Sequence, residues 1–212
     1  KAAPAIAQAA ATGKKVSAEE KDGRVTLSGE GFKAEFDLAT GAIAGLSYGG
    51  QAVLNEGQGP KLDAFRAPTD NDAGIGYPNG WWSNGLYDLK HRALAHKLLP
   101  GKDGSWVLSF TVESQGEYAS SHGYGNGDRN PESVYGFEKN RRALGEDDFK
   151  FTTEQTYTVY PDGSIELQSA ISASKSNIVL PRLGYVMQLP EAFSNFHYYG
   201  RGPVNNFNDR KT

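Results

Sequence analysis

Seven consecutive residues constrain this chain most. Phe32-Lys33-Ala34-Glu35-Phe36-Asp37-Leu38 places Phe32, Ala34, Phe36 and Leu38 on one parity and Lys33, Glu35 and Asp37 on the other. Strict period two is the mark of a strand with one face buried and one wet. Trp106, Leu108, Phe110 and Val112 repeat the pattern, as do Phe149, Phe151, Tyr157 and Val159. The last set continues through Pro161-Asp162-Gly163-Ser164 into Ile165, Leu167 and Ile171. That turn has Pro to fix φ and Gly to allow a positive φ, so Phe149 to Ala173 is expected to form a hairpin. Thr40-Gly41 and Gly49-Gly50 turn the chain toward Ile43-Leu46 and Val53-Leu54. Tyr185, Met187 and Leu189 mark a further strand, and Phe196 to Tyr199 the last. Helix is expected only over Trp81 to His91, for one or two turns, with Gly85 weakening it. Many strands punctuated by Gly and Pro imply an all-β, antiparallel sandwich or barrel.

The 212 residues suit one large β domain, and 38% apolar residues are enough for a core. A net charge of −3 with both signs interspersed gives no polyanion-binding surface, so no nucleic-acid partner is expected. No apolar run approaches the roughly 20 residues of a membrane-spanning helix. The absence of cysteine excludes disulfides and thiol catalysis and suits cytoplasm or periplasm alike. Lys1 to Thr12 is alanine-rich without the layout of a signal peptide. It reads as a linker or a short helix, and residues 1–22 are taken as preceding the domain.

Chemistry concentrates in two places. The first is the end of the chain, Tyr198-Tyr199-Gly200-Arg201-Gly202-Pro203-Val204-Asn205-Asn206-Phe207-Asn208-Asp209-Arg210-Lys211. Aromatics, amides, Arg and Asp are the groups that stack on a sugar's apolar face and bond its hydroxyls. The second is Phe65-Arg66-Ala67-Pro68-Thr69-Asp70-Asn71-Asp72-Ala73-Gly74. Its Asp70-Asn71-Asp72 run hints at Ca²⁺, but the later glutamate of a calcium loop is missing, and a turn with side chains bonded to backbone N–H groups is favoured. Arg66 has two candidate carboxylate partners, one inside its own motif and Asp209 in the other.

Trp81-Trp82 offers a stacking platform or core, with core favoured. The histidines show no metal-ligand spacing. His197, on the strand feeding the terminal motif, reads as a satisfied histidine before it reads as a base. Residues 113–148 break the strand pattern with glycines and aromatics, and form either a surface excursion or a rim loop bordering a sugar site.

The terminal stretch resembles the Trp/Tyr-Tyr-Gly-Arg-Gly-Pro-x-Glu-Asn-Tyr-x-Asp-Arg signature of the C-terminal small-chain domain of family-two β-galactosidases. The Arg66 block is close to that family's Arg-Ala-Pro-x-Asp-Asn-Asp-x-Gly, and the resemblance covers about Val25 to Arg210. Three positions depart from the pattern: Asn205 replaces Glu, Phe207 replaces Tyr and Asn208 stands where Pro is common. Any role of the family glutamate is in doubt here, because a neutral amide is neither base nor charge partner.

The resemblance implies a two-sheet supersandwich like that of galactose mutarotases, spanning 23–212 and continuing past Thr212, so that the chain is truncated. It also makes 113–148 an insertion. Glycoside hydrolysis needs two carboxylates across the scissile bond, about 5–5.5 Å apart for retention. The family keeps them in an earlier barrel domain, so this chain is expected to hold no catalytic residue and no metal. Mg²⁺ and Na⁺, or Ca²⁺, would sit in other domains. The expected partners are a β-galactoside in the complete enzyme, the other domains, and further copies if the enzyme is a homo-oligomer. Arg66, Asn71, Tyr199, Arg201 and Asn206 are the expected sugar contacts, with Asp72 and Arg210 architectural. A free-standing mutarotase-like or carbohydrate-binding protein, and a purely structural β domain, are the competing readings.

Overall fold

A computed structural model describes residues 15–120 and 141–195. The first sheet is a meander of five antiparallel strands: β1 (Ser17–Lys21), β2 (Arg24–Gly29), β3 (Phe32–Asp37), β4 (Ile43–Tyr48) and β5 (Gln51–Ala52). Then come β6 (Lys61–Asp63), α1 (Asp70–Gly74), α2 (Tyr77–Ser83) and a 3₁₀ turn (Leu86–Asp88). The rest is β7 (Leu89–Pro100), β8 (Trp106–Gly116), β9 (Tyr118–Ser120), β10 (Arg141–Ala143), β11 (Phe151–Val159), β12 (Ile165–Ala173) and β13 (Gly184–Val186). The second large sheet has the order β12-β11-β8-β7, again antiparallel. Two small ladders join β9 to β10 and β6 to β13.

The alternating segments do what their period demands. In β3, Phe32, Ala34 and Phe36 are buried and face Gly29, Leu27 and Val25 of β2. In β8 and β11 every second side chain is buried, Leu108 lying opposite Tyr157. The buried faces of the two sheets meet in one cluster: Val25, Leu27, Phe36 and Ile43 from the first, Leu108, Phe110, Val112, Tyr157 and Val159 from the second. The sheets stay open, which makes this a sandwich and not a barrel.

Hydrogen bonds tie the layers together. Trp106 Nε1 donates to the Val16 carbonyl at 2.9 Å, the Ala93 N–H to the Ala39 carbonyl at 2.7 Å, and the Tyr48 hydroxyl to the Gly163 carbonyl at 2.6 Å. Gly163 sits in the expected hairpin turn at φ 87, and an added Cβ would lie 3.0 Å from the Tyr48 ring. Glycine is therefore required there twice over.

A second cluster holds the connection between the sheets. Leu62, Ala64, Trp81, Leu86, Phe149 and Phe151 are buried together, and Phe65, Ile171 and Tyr185 pack on them.

Three expectations change. Residues 17–21 are a sheet strand, not linker; their polar sequence hid an edge strand that buries little. The helix expected over Trp81 to His91 lies earlier, at Tyr77–Ser83, because Gly85 at φ 66 breaks it and the chain enters β7 at Leu89. The stretch 113–148 is paired at both ends: β8 runs on to Gly116, and β9 meets β10 with Ser120 opposite Arg141. Its centre, residues 1–14 and the strand expected at Phe196 to Tyr199 lie outside the described residues.

Candidate functional site

The Arg66 block follows β6 directly. Buried Ala64 and half-buried Phe65 root it in the second cluster, and Pro68 precedes the helix start. Thr69 then caps α1. The Thr69 N–H donates to Asp72 Oδ2 at 2.8 Å and its hydroxyl at 2.7 Å, while the Asp72 N–H reaches the Thr69 hydroxyl at 3.4 Å. This is a reciprocal capping box with Asp in the third position.

Arg66 closes the motif. Its Nη1 donates to Asp72 Oδ2 at 2.6 Å and its Nη2 to Asp72 Oδ1 at 3.0 Å, the paired geometry that fits guanidinium to carboxylate. Nη1 also donates to the Ala67 carbonyl at 3.1 Å, and the guanidinium lies 5.3 Å from the Trp81 ring centre. Arg66 and then Thr69 hold the Asp72 carboxyl well below the usual carboxylate range. Both Asp72 oxygens are thus committed to donors, and the Asp70-Asn71-Asp72 run opens a helix in place of a cation loop.

Of the expected sugar contacts, Arg66 is in this clamp with its side chain 36% exposed, and Asn71 is exposed on α1. Tyr199, Arg201 and Asn206 lie outside the described residues. So do His197, Asp209, the alternative partner of Arg66, and Arg210.

Trp81 and Trp82 are both buried, at 1% and 8% exposure. Trp81 Nε1 donates to the Val179 carbonyl at 2.7 Å, and the Trp82 ring packs at a tilt with its centre 4.8 Å from that of Phe65 and 5.0 Å from that of Tyr87. They are the floor beneath the motif and present no open face to a sugar.

Beside the motif runs a groove of about 550 Å³ between β6, β13 and the start of β7. Lys61, Asp63, Phe65, Tyr87, His91, Arg182 and Met187 are among its walls. Asp63 pairs with Arg182. A second groove of about 420 Å³ lies across β7 and β8, with Lys90, Arg92, Glu113, Gln115 and Tyr118. His91 borders both. Its Nδ1 is 2.9 Å from the Ser114 hydroxyl, and burial, with Lys61 and Lys90 nearby, pushes the imidazole down to about 4. Glu113 bonds Arg92 at 2.8 Å and Lys150 at 2.9 Å, which keep it ionised.

Every carboxylate whose acidity is shifted among the described residues, Asp72, Glu113, Asp148, Asp162 and Glu166, is shifted toward the charged form. A glycosidase acid needs the opposite shift. Sequence reasoning missed both grooves. Their walls come from segments as far apart as Lys61 and Arg182, and no local spacing signals that meeting.

Comparison with known proteins agrees with the motifs. The family model described as β-galactosidase small chain matches residues 28–212. A β-galactosidase of Halalkalibacterium halodurans is 27% identical over 198 residues, covering 90% of this chain and 16% of its own length. One of Psychromonas ingrahamii is 26% identical over 205 residues, and one of Kluyveromyces lactis 23% over 198 residues; each is matched over 17% of its length. The chain thus spans about one sixth of the relatives it matches, and it belongs to the β-galactosidase small-chain family.

Proposed function

We propose that this chain is the non-catalytic small-chain domain of a retaining β-galactosidase acting on terminal β-D-galactosides. It forms one wall of the galactoside site and packs on the barrel domain that carries the acid and the nucleophile. The observation that carries this reading is the Arg66–Asp72–Thr69 clamp. It spends the family motif's charges on fixing a loop, and leaves that loop exposed beside a groove, as a wall requires. We assign Tyr199, Arg201 and Asn206, with Arg66 and Asn71, to sugar contacts, and the family's Mg²⁺, Na⁺ or Ca²⁺ to other domains.

The test is hydrolysis of a chromogenic β-galactoside by the chain alone and by the chain mixed with the N-terminal portion of the enzyme. Activity in the mixture only is expected. Turnover by the chain alone would overturn the proposal, because it demands a carboxylate pair within these residues.

A further inference from the structure

We infer that the groove between β6, β13 and the start of β7 is a binding site for a small monocarboxylate with an apolar body, its carboxylate held by Lys61 and His91. The groove's volume of about 550 Å³ falls within the range of small-molecule sites, roughly 300–1,000 Å³. Strand alternation builds its floor. Leu62 and Tyr185 stand opposite each other and turn into the second cluster, so Lys61, Asp63 and Val186 take the other face. Gly184 stands opposite Asp63, and an added Cβ there would meet nothing within 4 Å, which leaves depth at that end. Tyr87 of the 3₁₀ turn, with Leu89 and His91 of β7, forms the facing wall.

Two donors on these walls have no acceptor among the described residues. The acidic side chains are matched, Asp63 by Arg182 and Asp88 by Lys90. The ammonium of half-buried Lys61 makes no ion pair or hydrogen bond among the described residues. His91 supplies the second donor. Ser114 is 1% exposed, and its hydroxyl meets one partner among the described residues, His91 Nδ1 at 2.9 Å. The hydroxyl therefore donates, Nδ1 accepts, and the ring proton sits on Nε2, the nitrogen left for the groove. Burial, and then the charge of Lys61, keep the ring neutral down to about pH 4. That repulsion puts Lys61 and His91 within electrostatic reach of each other, so one anion can serve both.

The walls also state the ligand's class. One unmatched positive charge calls for one negative charge. A carboxylate carries one and offers an oxygen to each donor, whereas a phosphate monoester carries about 1.5–2 at neutral pH. Beside the donors, Val186 and Met187 are 43% and 55% exposed, and Leu89 and half-buried Phe65 extend the apolar lining. An apolar body laid against them takes that surface out of water.

Phenylacetate is the probe, titrated by calorimetry into the complete polypeptide at neutral pH. The comparators are 2-phenylethanol, acetate and inorganic phosphate. Saturable binding of phenylacetate is expected, at least about tenfold tighter than each comparator. Absence of saturation overturns the inference, as does equally tight binding of 2-phenylethanol, because no charge is then being read. Equal binding of acetate removes the apolar body, and tighter binding of phosphate removes the carboxylate; either overturns the assigned class. Lys61→Gln is expected to weaken phenylacetate at least about tenfold, and Lys61→Arg to hold it within about threefold, with Tm unchanged in both. Undiminished binding by Lys61→Gln puts the probe elsewhere and overturns the site. The comparison of phenylacetate with 2-phenylethanol on the unsubstituted protein decides the matter if a variant fails to fold. No readout uses glycosidase activity, so the result is independent of whether the polypeptide is a β-galactosidase.

Discussion

Replacing Tyr157 by Phe should make the protein more stable. Tyr157 is 0% exposed on the inner face of β11, its ring 5.0 Å from Phe36 and 6.3 Å from Phe110. Its hydroxyl is buried and has no hydrogen-bond partner among the described residues, and burial pushes its pKa up. Folding strips water from that oxygen and returns nothing, a penalty of about 1–3 kcal/mol for a neutral polar group. Phe keeps the ring and its contacts, and the one-atom void costs only a few tenths of a kcal/mol. The net expectation is a gain of about 1–2 kcal/mol. For a domain of this size that raises Tm by about 2–8 °C. Urea titration with an unchanged m value measures it. Thr153→Val, four residues before Tyr157 on the same face of β11, is a second test with the same expected sign, since Thr153 Oγ1 is also buried without a partner among the described residues. Destabilisation of 1 kcal/mol or more by Tyr157→Phe would refute the reasoning. It would show that the hydroxyl is satisfied, by an internal water for instance.

Three further outcomes are expected. His91 has its pKa lowered to about 4 from 6.5, so between those values the unfolded chain binds more protons and stability rises with pH. Its contribution is complete above about pH 6.5 and is lost as pH falls toward 4; His91→Gln should flatten the stability–pH curve between pH 6.5 and 5, and an unchanged slope refutes the assignment. Gly116→Ala should cost about 1–3 kcal/mol by chemical denaturation, because the new Cβ would stand 2.6 Å from the Gly85 Cα, whereas Gly184→Ala, with open space around it, should stay within about 0.5 kcal/mol. In the complete enzyme, Tyr199→Ala should lower kcat/KM about tenfold with Tm nearly unchanged, a loss of about 1.4 kcal/mol of transition-state binding; a large fall in Tm with normal kinetics would make Tyr199 architectural.

The sheets were readable where one face is buried and the other wet. β3, β8 and the β11–β12 hairpin announced themselves because their outward residues are charged or polar, so the period stands out against a clear background. β1 did not, since Ser17-Ala18-Glu19-Glu20-Lys21 is an edge strand with one inward residue, Ala18. β7 failed for a different reason. Its register slips between Ala93 and Ala95, which leaves Leu94 exposed and shifts the phase of the alternation midway. Its first residues were therefore absorbed into an expected helix. Which strands pair is a property of tertiary packing, and β6 meeting β13 across more than a hundred residues has no local trace.

At the site the sequence supplied the residues and the structure supplied their allocation. Arg66 had two plausible carboxylates, and the capping box explains why one inside its own motif serves. Thr69 orients Asp72 with two hydrogen bonds, which presents both oxygens to the guanidinium in the flat geometry it requires. Arg66 does not thereby lose its capacity to meet a ligand. A guanidinium has five N–H donors. Two go to Asp72 and one to the Ala67 carbonyl, so Nε and the second N–H of Nη2 have no acceptor among the described residues. A clamp that uses one edge of the fork fixes the direction of the other. Sugar hydroxyls, which accept hydrogen bonds at defined angles, are well matched to donors held in that way. On this account Arg66→Lys in the complete enzyme should lower kcat/KM more than Asn71→Ala does. An ammonium has three donors but no flat fork, so it cannot meet both Asp72 oxygens in parallel while holding a further donor in a fixed direction. Equal effects of the two substitutions would mean that Arg66 holds the loop and touches nothing beyond it.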